Sequence, residues 1–243
     1  MDYLKGSDTI SEKEKEAILQ NEANLIVDYP KVELLPTTHV VQHDLMEHEI
    51  NQMRNVTTNA TEFRAITARV TERLLNEATR NLKMKEYVVV TPICSMIGRK
   101  IDGKKPALVP IMRAGNEMES ATKRVIPVSR TGHIGLFRDE ETLEPQAYFC
   151  KLPEAIERRE AYLLDPMLAT GGSANAAINM LKKAGCSNIK FICIIAAPQG
   201  VDLLQKNHPD VELYIGHLDK GLNKNGYIVP GLGDAGDRIY GTK

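Results

Sequence analysis

The sequence predicts an α/β domain built on an open, mostly parallel sheet with helices on both faces. Two observations carry that prediction. Apolar runs of strand length stand at 107–112, 161–165, 189–195 and 211–215, and they are continuous rather than alternating, as in strands buried on both faces. Stretches of helical spacing follow at 116–123, 172–184 and 199–206, so crossover helices can join successive strands in parallel.

The elements follow in order. Residues 1–30 read as an N-terminal extension, in which Ser11-Glu-Lys-Glu14 forms a capping box that opens a polar helix to about Asn21. Residues 31–243 form the main domain. Residues 31–42 read as extended and are broken by Pro36, and Asp44 caps a short helix to Met53. A longer helix starts at Asn59-Ala-Thr-Glu62. Its Phe63, Ile66, Val70, Leu74 and Ala78 make one apolar stripe, opposite a face of Arg64, Arg69, Glu72, Arg73 and Glu77. Such a stripe packs against its own core. A strand at 87–93 is followed by a hairpin through Gly98 and Gly103. Residues 133–137 and 146–152 form the arms of a second β-hairpin, with a strongly acidic tip at 138–145. No repeat or low-complexity linker interrupts the chain, which is read as one domain with a C-terminal appendage.

Composition narrows the function classes. Lys and Arg number 31 against 32 Asp and Glu, so no basic surplus points to nucleic acid. No apolar run approaches the length of a membrane span, and the N-terminus lacks the apolar core of a signal peptide. A cytoplasmic protein is expected, with neither nucleic acid nor membrane as partner. The four cysteines form no Cys-x-x-Cys pair and read as buried, reduced thiols. The six histidines show no metal-site spacing and read as structural or surface residues.

The chain is organised around 159–185. An apolar strand ends at Asp165, then Ala169-Thr-Gly-Gly-Ser173 turns into a helix that closes on Lys182, Lys183 and Gly185. Small residues let the backbone turn tightly and approach a ligand. The free amides of the helix start, at the positive end of its dipole, suit one phosphate. Asp165 sits at the C-terminal end of its strand, where open α/β sheets keep ligand-binding groups. Two plainer readings compete: a Ser/Gly turn that serves packing, and Asp165 as a helix cap. Near the C-terminus, Gly231-Leu-Gly-Asp-Ala-Gly236 spells a dinucleotide fingerprint, but only seven residues follow, too few for the helix and strand it needs.

Five motifs in order resemble the uracil phosphoribosyltransferases, members of the type I phosphoribosyltransferases. They are Val109-Pro-Ile-Met-Arg-Ala-Gly115, Phe137-Arg-Asp-Glu-Glu-Thr-Leu-Glu-Pro145, Leu164-Asp-Pro-Met-Leu-Ala-Thr-Gly-Gly-Ser173, Ala196-Ala-Pro-Gln-Gly200 and Gly226-Tyr-Ile-Val-Pro-Gly-Leu-Gly-Asp-Ala-Gly-Asp-Arg238. The resemblance spans about Thr38 to Lys243. It departs from the bacterial pattern at Asn116-Glu-Met-Glu-Ser120, which looks like eukaryotic relatives.

The resemblance implies a phosphoribosyltransferase-like sheet with a β-hairpin arm and a hood over the base at about 217–243. It implies transfer of the 5-phosphoribosyl group of phosphoribosyl diphosphate (PRPP) to uracil, giving UMP and diphosphate in pyrimidine salvage. PRPP would be held by Asp165, Pro166, Met167, Leu168, Ala169, Thr170, Gly171, Gly172 and Ser173, by Arg113 and Arg138 on the diphosphate, and by Asp234. Asp139, Glu140 and Glu141 offer Arg138 competing ion pairs. Uracil would meet Ile228, Gly233, Asp234 and Ala235. Asp165, Asp234 and Arg113 are the catalytic candidates, with Asp234 either a base or a hydrogen-bond partner. Pro166 replaces the second acid of the wider group, so no direct protein ligand to a metal is expected and Mg²⁺ arrives with PRPP. The resemblance also implies a homodimer or homotetramer. GTP as an effector stays open, because the N-terminal positions that carry it in some relatives have no secure match here. Two alternatives stand beside this reading: a nucleotide-sensing or RNA-binding regulator on the same fold, and a transferase for another base.

Overall fold

The computed structural model describes residues 10–138 and 145–242, with the side chain of Arg138 outside them. In chain order the strands are β1 Thr38–Val40, β2 Met84–Val90, β3 Ser95–Ile101, β4 Ala107–Met112, β5 Arg130–Thr131, β6 His133–Arg138 and β7 Pro145–Lys151. The second half adds β8 Glu160–Leu164, β9 Met167–Leu168, β10 Asn188–Ala196, β11 Glu212–Leu218, β12 Gly221–Leu222 and β13 Ile228–Val229. The helices are α1 Glu12–Leu25, α2 Asp44–Arg54, α3 Ala60–Ala78, α4 Gly115–Val125, α5 Gly172–Lys183, α6 Pro198–Asn207 and α7 Ala235–Tyr240.

The main sheet runs β1-β11-β10-β8-β4-β6-β7, with β5 beside β4 and β9 beside β10. Every pairing is parallel except β6 with β7, the hairpin arm. The apolar runs are continuous because both faces are covered. Tyr162, Leu164, Ile192 and Ile194 point into a core shared with α2, α3, α4 and α7. Their neighbours Ala161, Leu163, Phe191 and Cys193 point into the opposite core, beneath α5 and α6. Alternation along one strand thus feeds two hydrophobic layers, each large side chain contributing roughly 1.5–3 kcal/mol by burial.

Helix starts follow their capping chemistry. Ser11 and Glu14 form the reciprocal box of α1, and the Asn59 side chain accepts from the Glu62 amide at 3.0 Å to open α3. The cap of α2 is His43 rather than Asp44: its Nδ1 accepts from the Met46 amide at 3.4 Å, and Asp44 is the first helical residue. Arg69 and Arg73, expected to be simply solvated, both pair with the buried carboxylate of Glu49, at 2.7 and 2.9 Å.

Two further expectations are corrected. The hairpin of β2 and β3 turns at 91–94, not at Gly98 or Gly103. The Thr91 hydroxyl accepts from the amides of Ile93 and Cys94, a side-chain-closed turn, while Gly98 lies inside β3 opposite Tyr87. Cys186 and Cys193 are buried thiols as expected, but Cys94, in the turn between β2 and β3, and Cys150, in β7, are exposed.

Candidate active site

The site lies at the C-terminal ends of the central strands. From β8 the chain passes through Asp165, whose amide donates to the Ile192 carbonyl at 3.2 Å, and then through β9, which pairs with the end of β10. Gly171 caps α5 with φ at +86°, a left-handed turn that an L side chain rarely adopts. The first amides of α5 are left without intrahelical partners. They border a cavity of about 220 Å³ whose walls are Asp165, the run from Met167 to Ala174, and Gly226.

A second cavity, of about 310 Å³, adjoins it. It joins remote pieces of chain: Arg113 and its neighbours at the end of β4, Leu136 of β6, Asp165 to Met167 after β8, Ser173 of α5, and Asp234 to Gly236 at the start of α7. Asp165, Met167 and Ser173 border both cavities, which are therefore two lobes of one cleft. The Arg113 loop is pressed onto the end of β8. A Cβ on Gly115 would stand 2.4 Å from the Leu164 carbonyl oxygen, so only glycine fits there. The Met112–Arg113 peptide bond is cis.

Burial pushes the Asp165 carboxyl up to about 7, and the nearby charge of Asp234 adds to the rise; the Met167 amide, 3.4 Å away, opposes it. Part of the side chain opens to the cleft, but protein surrounds the rest closely enough to disfavour the charge. Asp165 caps no helix, since Gly171 begins α5. The capping role falls instead to Asp234, whose Oδ1 accepts from the Asp237 amide at 2.9 Å. Among the described residues no three His, Cys, Asp or Glu side chains gather as a metal site. Asp165 and Asp234 are the acids bordering the cleft.

Thus the cleft collects the whole loop from Asp165 to Ser173, with Arg113, Asp234 and Ala235. Ile228 is buried in β13, and Gly233 is exposed with φ at +79°; neither borders either lobe. The Arg138 side chain lies outside the described residues.

Several groups that shape the cleft carry no local sequence signal. The Tyr240 hydroxyl donates to the Arg113 carbonyl at 2.8 Å, and its ring lies 5.6 Å from the Arg113 guanidinium. If Arg113 grips the diphosphate, as the resemblance implies, removing the hydroxyl in Tyr240→Phe should raise KM for PRPP about two- to tenfold, the size of one lost hydrogen bond, with stability almost unchanged; steady-state kinetics beside a thermal melt checks this. Arg54 forms a two-pronged pair with buried Asp219 at 2.9 and 2.5 Å, and both hold Gly231: Arg54 donates to its carbonyl at 2.7 Å, and its amide donates to Asp219 at 3.0 Å. Arg238 donates to the backbone carbonyls of Met53, Asn55, Thr58 and Leu232, and its guanidinium lies 4.5 Å from the Phe63 ring.

A mostly parallel sheet whose central strand β8 leads into a glycine-rich loop and a helix, facing a C-terminal segment across a cleft, matches the phosphoribosyltransferase class. Two solved structures share the fold. One, a protein from Aquifex aeolicus, has a TM-score of 0.80 at 34% identity, covering 84% of this chain and 97% of that one. The other, an adenine phosphoribosyl transferase from Trypanosoma brucei, has a TM-score of 0.51 at 13% identity, covering 77% and 86%. Within the class, the family model described as uracil phosphoribosyltransferase matches residues 40–242. Relatives of that name from Lachnoclostridium phytofermentans and Bacillus velezensis are 52% and 51% identical, over 84% of this chain and 98% of theirs. The chain belongs to the uracil phosphoribosyltransferase family.

Proposed function

We propose that the protein is a uracil phosphoribosyltransferase that joins a ring nitrogen of uracil to the anomeric carbon of PRPP as the bond to diphosphate breaks, giving UMP. The observation that supports this most is the two-lobed cleft, which sets an anion cradle and a base-sized space on either side of Asp165. The amides of Gly172 to Ala174 would hold the 5′-phosphate at the positive end of α5. Asp165 would accept from the ribose hydroxyls and, once ionised, favour the positive charge that develops on the sugar. Arg113 would grip the diphosphate, and the outer carboxylate oxygen of Asp234, with the backbone of Gly233 and Ala235, would meet the uracil edge. Ile228 would back that segment from β13. Arg138 would close on the diphosphate from the hairpin arm.

Two acids on opposite walls, one of them reluctant to ionise, fit a site whose Mg²⁺ enters with PRPP and touches the protein through water. When bound, that ion would offset charge on the departing diphosphate. Among the described residues no helix is long and apolar enough to cross a membrane; salvage in the cytoplasm is proposed on the family's chemistry. Residues 1–30 are proposed as an extension to a domain of 31–243.

A spectrophotometric assay with PRPP, Mg²⁺ and a panel of uracil, cytosine, orotate and hypoxanthine tests the reading. UMP formation from uracil alone is expected; turnover of another base without uracil, or a salt-sensitive RNA shift without turnover, would refute it. Repeating it with GTP decides whether that nucleotide acts as an effector.

Subunit pairing is proposed as well. Strands β2 and β3 form a separate two-stranded ribbon, marginal by itself, and its Val90 and Ile93 are 78% and 94% exposed. A second copy of the chain would cover it. The double variant Val90→Lys, Ile93→Lys should lower the mass seen by sedimentation equilibrium, and an unchanged mass would place the interface elsewhere.

A further inference from the structure

The family match begins at residue 40, yet the chain before it reaches the hood. We infer that residues 22–35 act as a strap that positions the uracil side of the cleft. This rests on the functional reading above. The Val27 amide donates to the Leu222 carbonyl at 2.8 Å, adding an edge partner to β12. Beside it, Lys220 pairs with Glu22 of α1. Ile26 covers Gly221 so closely that a Cβ there would stand 2.8 Å from the Ile26 Cγ2. The strap is then tied to α6. The Tyr29 hydroxyl donates to Asp202 at 2.5 Å, and the Gln205 amide both donates to the Glu33 carbonyl and accepts from the Leu35 amide.

The ladder under the strap is short. β12 and β13 share only the pairs Gly221 with Val229 and Leu222 with Ile228, too little to stand alone. From β13 the chain runs directly to Asp234 and Ala235 on the cleft wall. An added hydrogen bond on β12 therefore bears on the base side. The phosphate lobe meets the strap through α6 rather than through β12, since a Cβ on Gly200 would stand 2.5 Å from the Ala169 carbonyl oxygen, and the ties to α6 do not involve the Val27 amide. The walls of that lobe belong to the Asp165 loop and α5, and its one hood residue, Gly226, lies in a turn closed by the Asn223 side chain, which accepts from the amides of Asn225 and Tyr227 at 2.9 and 3.0 Å.

The test is Val27→Pro, which deletes the donor. Ile26 already has φ −85° and ψ 134°, the extended conformation a following proline requires, so little else should shift. Val27→Ala keeps the amide and serves as the control. In Val27→Pro, KM for uracil should rise about three- to tenfold while kcat and KM for PRPP stay within about twofold; Val27→Ala should match the parent protein. An unchanged uracil KM, or equal rises in both KM values, would overturn the strap. A parent protein that makes no UMP would refute the functional reading instead. In that case amide hydrogen exchange still decides the matter: faster exchange over 220–229 in Val27→Pro than in Val27→Ala supports the strap, and equal exchange overturns it.

Discussion

Asp165→Asn should cost at least ~100-fold in turnover and, at pH 8, make the ligand-free protein harder to melt. Both effects have one origin. Burial and the neighbouring Asp234 charge hold the carboxyl up at about 7, against 3.8 for an ordinary aspartate. Between those two values the folded protein keeps a proton that the unfolded chain has released. Stability must therefore fall as pH rises through that window, and the full penalty stands above about pH 7. Asparagine carries no charge and escapes it. Discounted for the part of the side chain that faces solvent, the gain is about 2 kcal/mol, or roughly 4–8 °C in a domain of this size. At pH 4 and below the two proteins should melt together. Calorimetry across pH 4–8, with single-turnover kinetics, provides the check. Near-normal turnover would remove Asp165 from its assigned role, and no difference in melting at pH 8 would show that its carboxyl ionises as easily in the folded protein as in the unfolded chain.

The second large effect is expected at Asp219→Ala. Asp219 is fully buried, and its loss strands the mostly buried guanidinium of Arg54 together with the Gly231 amide. Breaking a buried pair by deleting one partner costs about 3–5 kcal/mol. Urea unfolding should show a lower midpoint with an unchanged slope. Gly231 lies three residues before Asp234, so uracil KM should also climb, by more than about tenfold, beyond the effect of any single hood hydrogen bond. A midpoint equal to that of the parent would show that the pair holds nothing together.

How much of this was legible in the sequence depended on distance along the chain. Strand β8, its cradle and α5 were clear because one continuous stretch makes them: a buried strand, a turn only small residues can form, and a helix with one apolar face. The caps at Ser11 and Asn59 were equally local. Local rules also misled. Gly98 looks like a turn residue, but Thr91 closes the turn, and Gly98 is small because a Cβ there would meet the Val89 side chain at 2.5 Å. Asp44 looks like a cap, but the imidazole one residue earlier takes the position. At the site, both acids are legible in the sequence, and the plainer reading of Asp165 as a helix cap is excluded because Gly171 caps α5; the cap of α7 by Asp234 was not among the expectations. The pairs Tyr240 with Arg113 and Arg54 with Asp219 were invisible, being 127 and 165 residues apart in sequence. No spacing rule reaches that far; only the folded sheet brings them together.

Arg238 has a last consequence for inhibitor chemistry. Its guanidinium is already surrounded by main-chain oxygens from the α2–α3 junction and the hood, and by the Phe63 ring. A carboxylate grafted onto a pyrimidine scaffold would find that cation fully engaged and would shed its hydration for nothing. An acidic substituent on a base mimic should therefore gain nothing from Arg238, and among the described residues the cation within its reach is Arg113, which borders the same lobe as Asp234.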